Sequence, residues 1–312
     1  MPSMFYVLLL IFVAALTYRS RALINEFSSQ QKALGALESK ANSFSTRVRD
    51  FIQGEIPLEE LDTPYEELTD AVRTTQTGLD FAPVWKGLKE INTLNLQNQE
   101  VEEQITELTN SSIQQSNGYI EQVAKKLADE QSRQEVSTLE RLVIIGANMN
   151  TTASYEVRVR FAKLKESMDT RDDILGYLDA LLENVERDVE RLKDTPFAQM
   201  PVQAMEANLA IKNLTQQFIS NSENLIQLRG EVISNLNTAI GNLQAATSQN
   251  SQNILEQLAG FFYFFALLLA LLSLVGIFLS YMLARSLSQA ILKTCGFAQA
   301  VAEGDLTGHI DL

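Results

Sequence analysis

Cysteine and histidine each occur once among the 312 residues, as Cys295 and His309, both near the C-terminal end. The long stretch before them therefore has no disulfide, no thiol nucleophile, no imidazole for acid–base work and no His/Cys metal site. Basic patches are missing too. With 25 Lys and Arg against 39 Asp and Glu, the net charge is -14, which excludes a phosphate-binding surface and a nucleic-acid partner. The carboxylates come as pairs such as Glu59-Glu60 and in the run Val185-Glu-Arg-Asp-Val-Glu-Arg191. That spacing marks solvated helix faces rather than a catalytic pair, so neither an enzyme nor a cofactor is expected. Proline is scarce, at six residues, and no alternation of apolar and polar residues suggests a strand.

What is present is a chain framed by two apolar runs. Residues 261–284 form 24 consecutive uncharged positions, long enough to cross the ~30 Å hydrocarbon core as a helix. The first run, Phe5 to Leu16, is shorter. It lacks a basic n-region, and the Tyr-Arg-Ser-Arg-Ala-Leu that follows makes a poor cleavage site. An uncleaved transmembrane helix is therefore the reading, with a signal peptide as the competitor. Arg19 and Arg21 after the first run balance Arg285 and Lys293 after the second, so charge alone does not orient the chain.

Between the runs, Leu23 to Leu258 is rich in Leu, Ala, Glu, Gln and Lys and reads as helix throughout. Breakers are expected at Gly54–Pro57, Asp80–Pro83, Gly146–Thr152, Met168–Asp172 and Thr195–Pro201. They divide the chain into four columns of comparable length, 18–80, 84–146, 150–194 and 202–260. The expected fold is all-α: two stacked four-helix bundles, with six helices of which two are long, between two transmembrane helices. The expected boundaries are 1–18 for the first transmembrane helix, 19–258 for the extracytoplasmic domain, 259–284 for the second transmembrane helix and 285–312 for the segment that follows.

Six helices in two stacked bundles between two spans resemble the helical bimodular sensor domain of bacterial chemoreceptors (methyl-accepting chemotaxis proteins) and of some sensor histidine kinases. Arg47-Val-Arg-Asp-Phe51 is similar to the arginine-rich signature of that domain's first helix. Arg285-Ser-Leu-Ser, with Phe297 to Thr307 ending in Gly-Asp-Leu-Thr, resembles the first helix and connector of a HAMP module. The proline usual early in that helix is missing, and Gln289 stands near its place. The resemblance implies a cytoplasmic HAMP coiled coil beginning at Arg285, a periplasmic sensor domain anchored in the inner membrane, and a parallel homodimer. It further implies signalling to a cytoplasmic chemotaxis kinase and adaptor through an output domain outside this sequence. A sensor kinase with the same input, or a helical tether without a small-molecule ligand, are the alternatives.

Members of that family bind small carboxylates, so the resemblance implies inward-facing cations. Arg47 lies between Phe44 and Phe51 on an apolar stripe, and Arg229 is flanked by Leu225, Ile226, Val232 and Ile233. Each is about 30 residues from its nearer span, roughly 45 Å along a helix. The second column should pass that level near Thr109, Ser112 and Ser116, giving a polar layer in which two guanidinium groups face one carboxylate. Arg49 joins the candidate contacts through the signature alone. The competing reading pairs these arginines with Asp50, Glu223 or Glu231. Arg73, Lys86, Arg171 and Arg187 are further cations available to the other bundle, and Trp85 is expected to pack rather than bind.

Overall fold

A computed structural model describes residues 2–75, 77–129 and 137–303. The Gly-Asp-Leu-Thr motif at 304–307 and His309 lie outside them. Six α-helices account for nearly all the described residues: α1 (Pro2–Gln53), α2 (Asp62–Thr75), α3 (Ala82–Asp129), α4 (Thr138–Glu166), α5 (Arg171–Leu192) and α6 (Gln199–Ala302). Short 3-10 segments at Leu58–Leu61 and Met168–Thr170 precede α2 and α5, and no strand occurs among the described residues. The expected all-α fold is observed.

The chain divides into two compact units. One is Gly35–Leu243 and the other holds the two ends, up to Leu34 and from Gln244. Within the second of these, α6 carries an 18-residue window of mean hydropathy 2.6 with none of it buried. Phe262, Leu267, Leu274, Phe278 and Leu283 all stand exposed. The hydroxyl of Ser273 donates to the Leu269 carbonyl at 2.8 Å, so that polar group is satisfied within its own helix. Among the described residues, α6 is the one helix long and apolar enough to cross a membrane.

In the unit from Gly35 to Leu243, the turn after α1 sets the topology. Gly54 adopts φ 80°, its N–H donates to the Phe51 carbonyl at 2.9 Å and the Glu55 N–H donates to the Asp50 carbonyl at 2.9 Å. This paired capping closes the helix with a left-handed residue, and Pro57 prevents its resumption. The chain then reverses. Lys40 pairs with Glu67 at 3.5 Å and Arg47 with Glu60 at 3.9 Å, so α2 runs antiparallel to α1. Helix α3 therefore starts near Phe44, whose ring lies 6.4 Å from that of Phe81, and runs in the same direction as α1. The expected break at Gly54–Pro57 is observed, but the expectation that one column keeps its direction past it is corrected: the break is a hairpin.

Two further expectations change. Gly146–Thr152 is not a break, because α4 runs straight through it. Ser154 and Thr152 each donate to the carbonyl four residues earlier, at 2.9 Å, and Ala147 and Ala153 are buried, so tertiary packing overrides weak propensity. The α3-to-α4 connection falls instead before Ser137, whose side chain accepts from the Glu140 N–H while Glu140 reaches back to the Ser137 N–H. That reciprocal cap is legible in the sequence as Ser-x-x-Glu. The breaks at Asp80–Pro83, Met168–Asp172 and Thr195–Pro201 are observed.

Cross-helix pairs fix the remaining register. On α3, Asn98 donates to Ser222 at 3.3 Å and Tyr119 to Gln203 at 3.1 Å, so α6 runs antiparallel to it. Ser116 meets Asn150, and Lys212 meets Asp179 at 2.5 Å, placing α4 against α3 and α6 against α5. One apolar core gathers Leu37, Phe44, Val48, Leu68, Leu88, Ile91, Val232 and Leu236 from α1, α2, α3 and α6. Trp85 packs against it as expected, stacked on Tyr65 with ring centroids 4.4 Å apart. The other cores use α3, α4, α5 and α6, with Ile105, Phe161, Leu178, Ile211, Val143 and Met200 among their members.

Helices α3 and α6 approach most closely at Gly87, where a Cβ would lie 2.4 Å from the Cγ2 of Val232. Gly87→Ala is expected to lower stability by about 1–3 kcal/mol through overpacking. Gly241→Ala, with open space around it, should gain up to about 1 kcal/mol from helix propensity. Thermal unfolding followed by circular dichroism reads both, and a neutral Gly87→Ala would refute the tight crossing.

Candidate functional site

The structure does not bring the six sequence-predicted contacts together. Arg47 is exposed beside the first core, its guanidinium 3.9 Å from the Glu60 carboxylate and 3.5 Å from the Glu60 carbonyl. The hollow beside it is lined by Lys40 and Arg47 together with Glu59, Glu60 and Glu67, so its two cations already face three carboxylates. Its expected inward orientation is corrected, because the apolar stripe of α1 uses Phe44, Val48 and Phe51, leaving Arg47 on the flank. Arg49 is exposed as well. Arg229 is half-buried, and its Nε is shielded from solvent without a hydrogen-bond partner, among the first-core residues Leu225 and Val232.

Thr109, Ser112 and Ser116 are buried, as the polar-layer argument requires, but they lie farther along α3. Because α3 runs parallel to α1, residues 84–91 rather than 109–116 stand level with the arginines. The separation from Ile91 to Thr109 is roughly 27 Å along the helix. The expected five-residue cage is therefore replaced by two separate features.

The polar layer does contain an arginine, and it comes from α4. Arg158 Nε donates to the Thr109 hydroxyl at 2.9 Å and Nη2 to the Asn110 carbonyl oxygen at 2.5 Å. Next to it, the Asn150 amide donates to the Ser116 hydroxyl at 2.9 Å. Asn208 on α6 is buried with its Nδ2 unpartnered, and the Asn150 Oδ1 is unpartnered too. Sequence reasoning missed Asn150 by treating it as part of a break. Its place three residues from both Ala147 and Ala153 is the signal that puts it on a core-facing stripe.

Close to this layer a cavity of about 490 Å³ opens between α4, α5 and the start of α6. Ile145, Met149, Ala153, Leu181, Val185, Met200 and Ala204 give it an apolar lining, with Asn150, Tyr177, Asn184 and Asp188 among its polar members. Past Met149 and Met200 the same groove narrows toward Arg187 and Arg191. Of the four cations proposed for the second core, Arg187 alone borders it. Arg171 is engaged with Glu223 at 2.5 Å. Arg187 donates to the Asn184 carbonyl oxygen at 2.8 Å and Arg191 to Asp188 at 3.3 Å, all within α5.

At the opposite end of the groove, Arg160 lies over the Tyr177 ring, 4.6 Å from its centroid, and pairs with Asp173. Burial pushes the Tyr177 phenol above its ordinary value, Glu156 raises it further and Arg160 draws it back. The site can hold an apolar body and present guanidinium groups at one mouth. Comparison with protein-family profiles, with curated proteins and with solved structures returns no match.

Two predictions follow from the layer and the tyrosine. Asn150→Ala removes a donor to buried Ser116 and should cost about 1–3 kcal/mol, whereas Asn208→Leu removes an unpartnered amide and should be neutral or stabilising. Denaturant unfolding measures both, and an equal loss in the two would refute the assignment. Tyr177 has a folded pKa raised above that of the unfolded chain, so its stability contribution is present below pH 10 and is lost as pH rises through the folded value. Tyr177→Phe should flatten the alkaline decline, and its phenolate absorbance should be missing from the late part of the titration.

Proposed function

We propose that the chain is the sensing and membrane-spanning part of a dimeric receptor for small organic acids, of the helical bimodular chemoreceptor type. In this reading α1, α2, α3 and α6 form one four-helix bundle and α3, α4, α5 and α6 a second, stacked end to end outside the cytoplasmic membrane. The start of α1 and residues 261–284 of α6 are its two spans. Residues from Arg285 onward open a cytoplasmic HAMP coiled coil in a parallel homodimer, which passes the signal to a chemotaxis kinase and adaptor.

One observation carries the proposal: Met200 and Ala204, which line the cavity, and the apolar run belong to the same uninterrupted helix of 104 residues. Pro201 falls in its first turn, where a missing N–H costs nothing. A ligand that favours one position of the start of α6 over another would therefore act on the same helix that carries the apolar run. An adaptor that only recruits partners has no use for a cavity beside the helix that enters the membrane.

Two measurements test the reading. Cys295, exposed on α6, should resist a membrane-impermeant maleimide in intact cells and react after lysis, while a cysteine at exposed Ser43 should show the reverse. Labelling of both from outside would overturn the topology. The full chain in nanodiscs should be stabilised saturably by at least one mono-, di- or tricarboxylate, by about 2.7 kcal/mol at a hundredfold excess over Kd. If no acid shifts its melting, the receptor reading yields to the tether.

A further inference from the structure

The groove between α4 and α5 is selective in its chemistry, and we propose that it binds a monocarboxylate carrying an apolar, ring-sized body, with the carboxylate seated against Arg187 and Arg191. The proposal rests on the receptor reading and adds where the ligand sits and which acids fit. At about 490 Å³ the cavity falls within the range of small-molecule sites, and its walls are Ile145, Met149, Leu181, Val185, Met200 and Pro201. Such walls gain from covering a hydrocarbon surface and gain nothing from a hydrated polyanion.

The cations that line the groove stand at its narrow end. Arg187 and Arg191 are one helical turn apart and border the narrow mouth, close enough to flank a single carboxylate. Both are exposed, and their partners Glu183, Asn184 and Asp188 belong to the same helix. Turning a guanidinium from these to a ligand therefore breaks no cross-helix contact. From Leu181, in the apolar part, to Arg187 the rise along α5 is about 9 Å, which accommodates a six-membered ring and a one-carbon link to the carboxylate.

The groove also contains its own discriminator. Asp188 lines both the wide and the narrow part, so a second carboxylate on the ligand would meet a fixed negative charge. A bare acetate would satisfy the arginines and leave the apolar walls in water. An aryl or branched acid with one charge matches both the apolar walls and the arginines.

The test compares phenylacetate, acetate and citrate by calorimetry on the full chain in nanodiscs. Phenylacetate should bind at least tenfold more tightly than either of the others. Arg187→Ala combined with Arg191→Ala should weaken it tenfold or more, and Ala180→Trp, which fills the groove from an exposed position, should abolish binding with helical content unchanged. Citrate binding more tightly than phenylacetate, or phenylacetate binding untouched by Ala180→Trp, would overturn the proposed site while leaving the receptor reading intact. Silence from all three acids and from the wider panel would overturn both. If Ala180→Trp instead shifts the mass of the assembly and no acid competes, the exposed Leu142, Ile145 and Met149 belong to a contact between copies, and the proposal fails.

Discussion

Everything in the unit from Gly35 to Leu243 depends on the antiparallel contact between α3 and α6. These are the only two helices that contribute to every apolar core cluster among the described residues. Three points pin the contact: Val232 against Gly87, Asn98 with Ser222, and Tyr119 with Gln203. Gly87 allows the backbones to approach to a distance that no other residue permits, which brings Val232 into the first core. The two polar pairs carry the same register along the full length of α3. Shifting it by one residue would remove Leu225, Val232 and Leu236 from one core and Ile211 and Phe218 from another.

That dependence explains how much of the fold was legible in the sequence. Helix content, the apolar span of α6 and four of the five breaks follow from local properties: propensity, hydropathy and the positions of Gly and Pro. The direction of each column does not. Gly54–Pro57 reads equally as a kink or a reversal, and what decides is Gly54 at φ 80° with its two capping bonds. Taken as a kink, it sends α3 the wrong way, so Thr109, Ser112 and Ser116 are assigned to the level of Arg47. One local ambiguity thus dispersed a whole predicted site. The residues themselves were sound in one respect, since all three α3 positions are buried.

Arg47 and Arg158 show why an arginine on an apolar stripe is a weak guide to burial. A long side chain can lay its methylenes along the core edge and hold its charge in water, as Arg47 does beside Glu60. Arg158 instead keeps its Nε on buried Thr109 and extends Nη2 to an exposed bond with Asn110. Sequence spacing around both residues is similar. The difference lies in the neighbouring element: the 3-10 segment before α2 offers Arg47 a carboxylate at the surface, whereas α3 offers Arg158 neutral hydroxyl and amide oxygens at the core edge.

Some of the unpartnered polar atoms lie close to the cavity. Asn150 and Asn208 belong to the helices that wall the cavity, and Asn208 lies one turn from Ala204, which lines it. A buried amide without a partner costs stability, and hydrophobic residues of similar size would remove the cost. Elsewhere the same helices pack with Ile, Leu, Val and Phe. Unpartnered amides beside an open groove hold the start of α6 less well than apolar residues in the same places would. In the proposed receptor, a ligand that favours one position of the start of α6 would act on a helix that continues without interruption to Ala302.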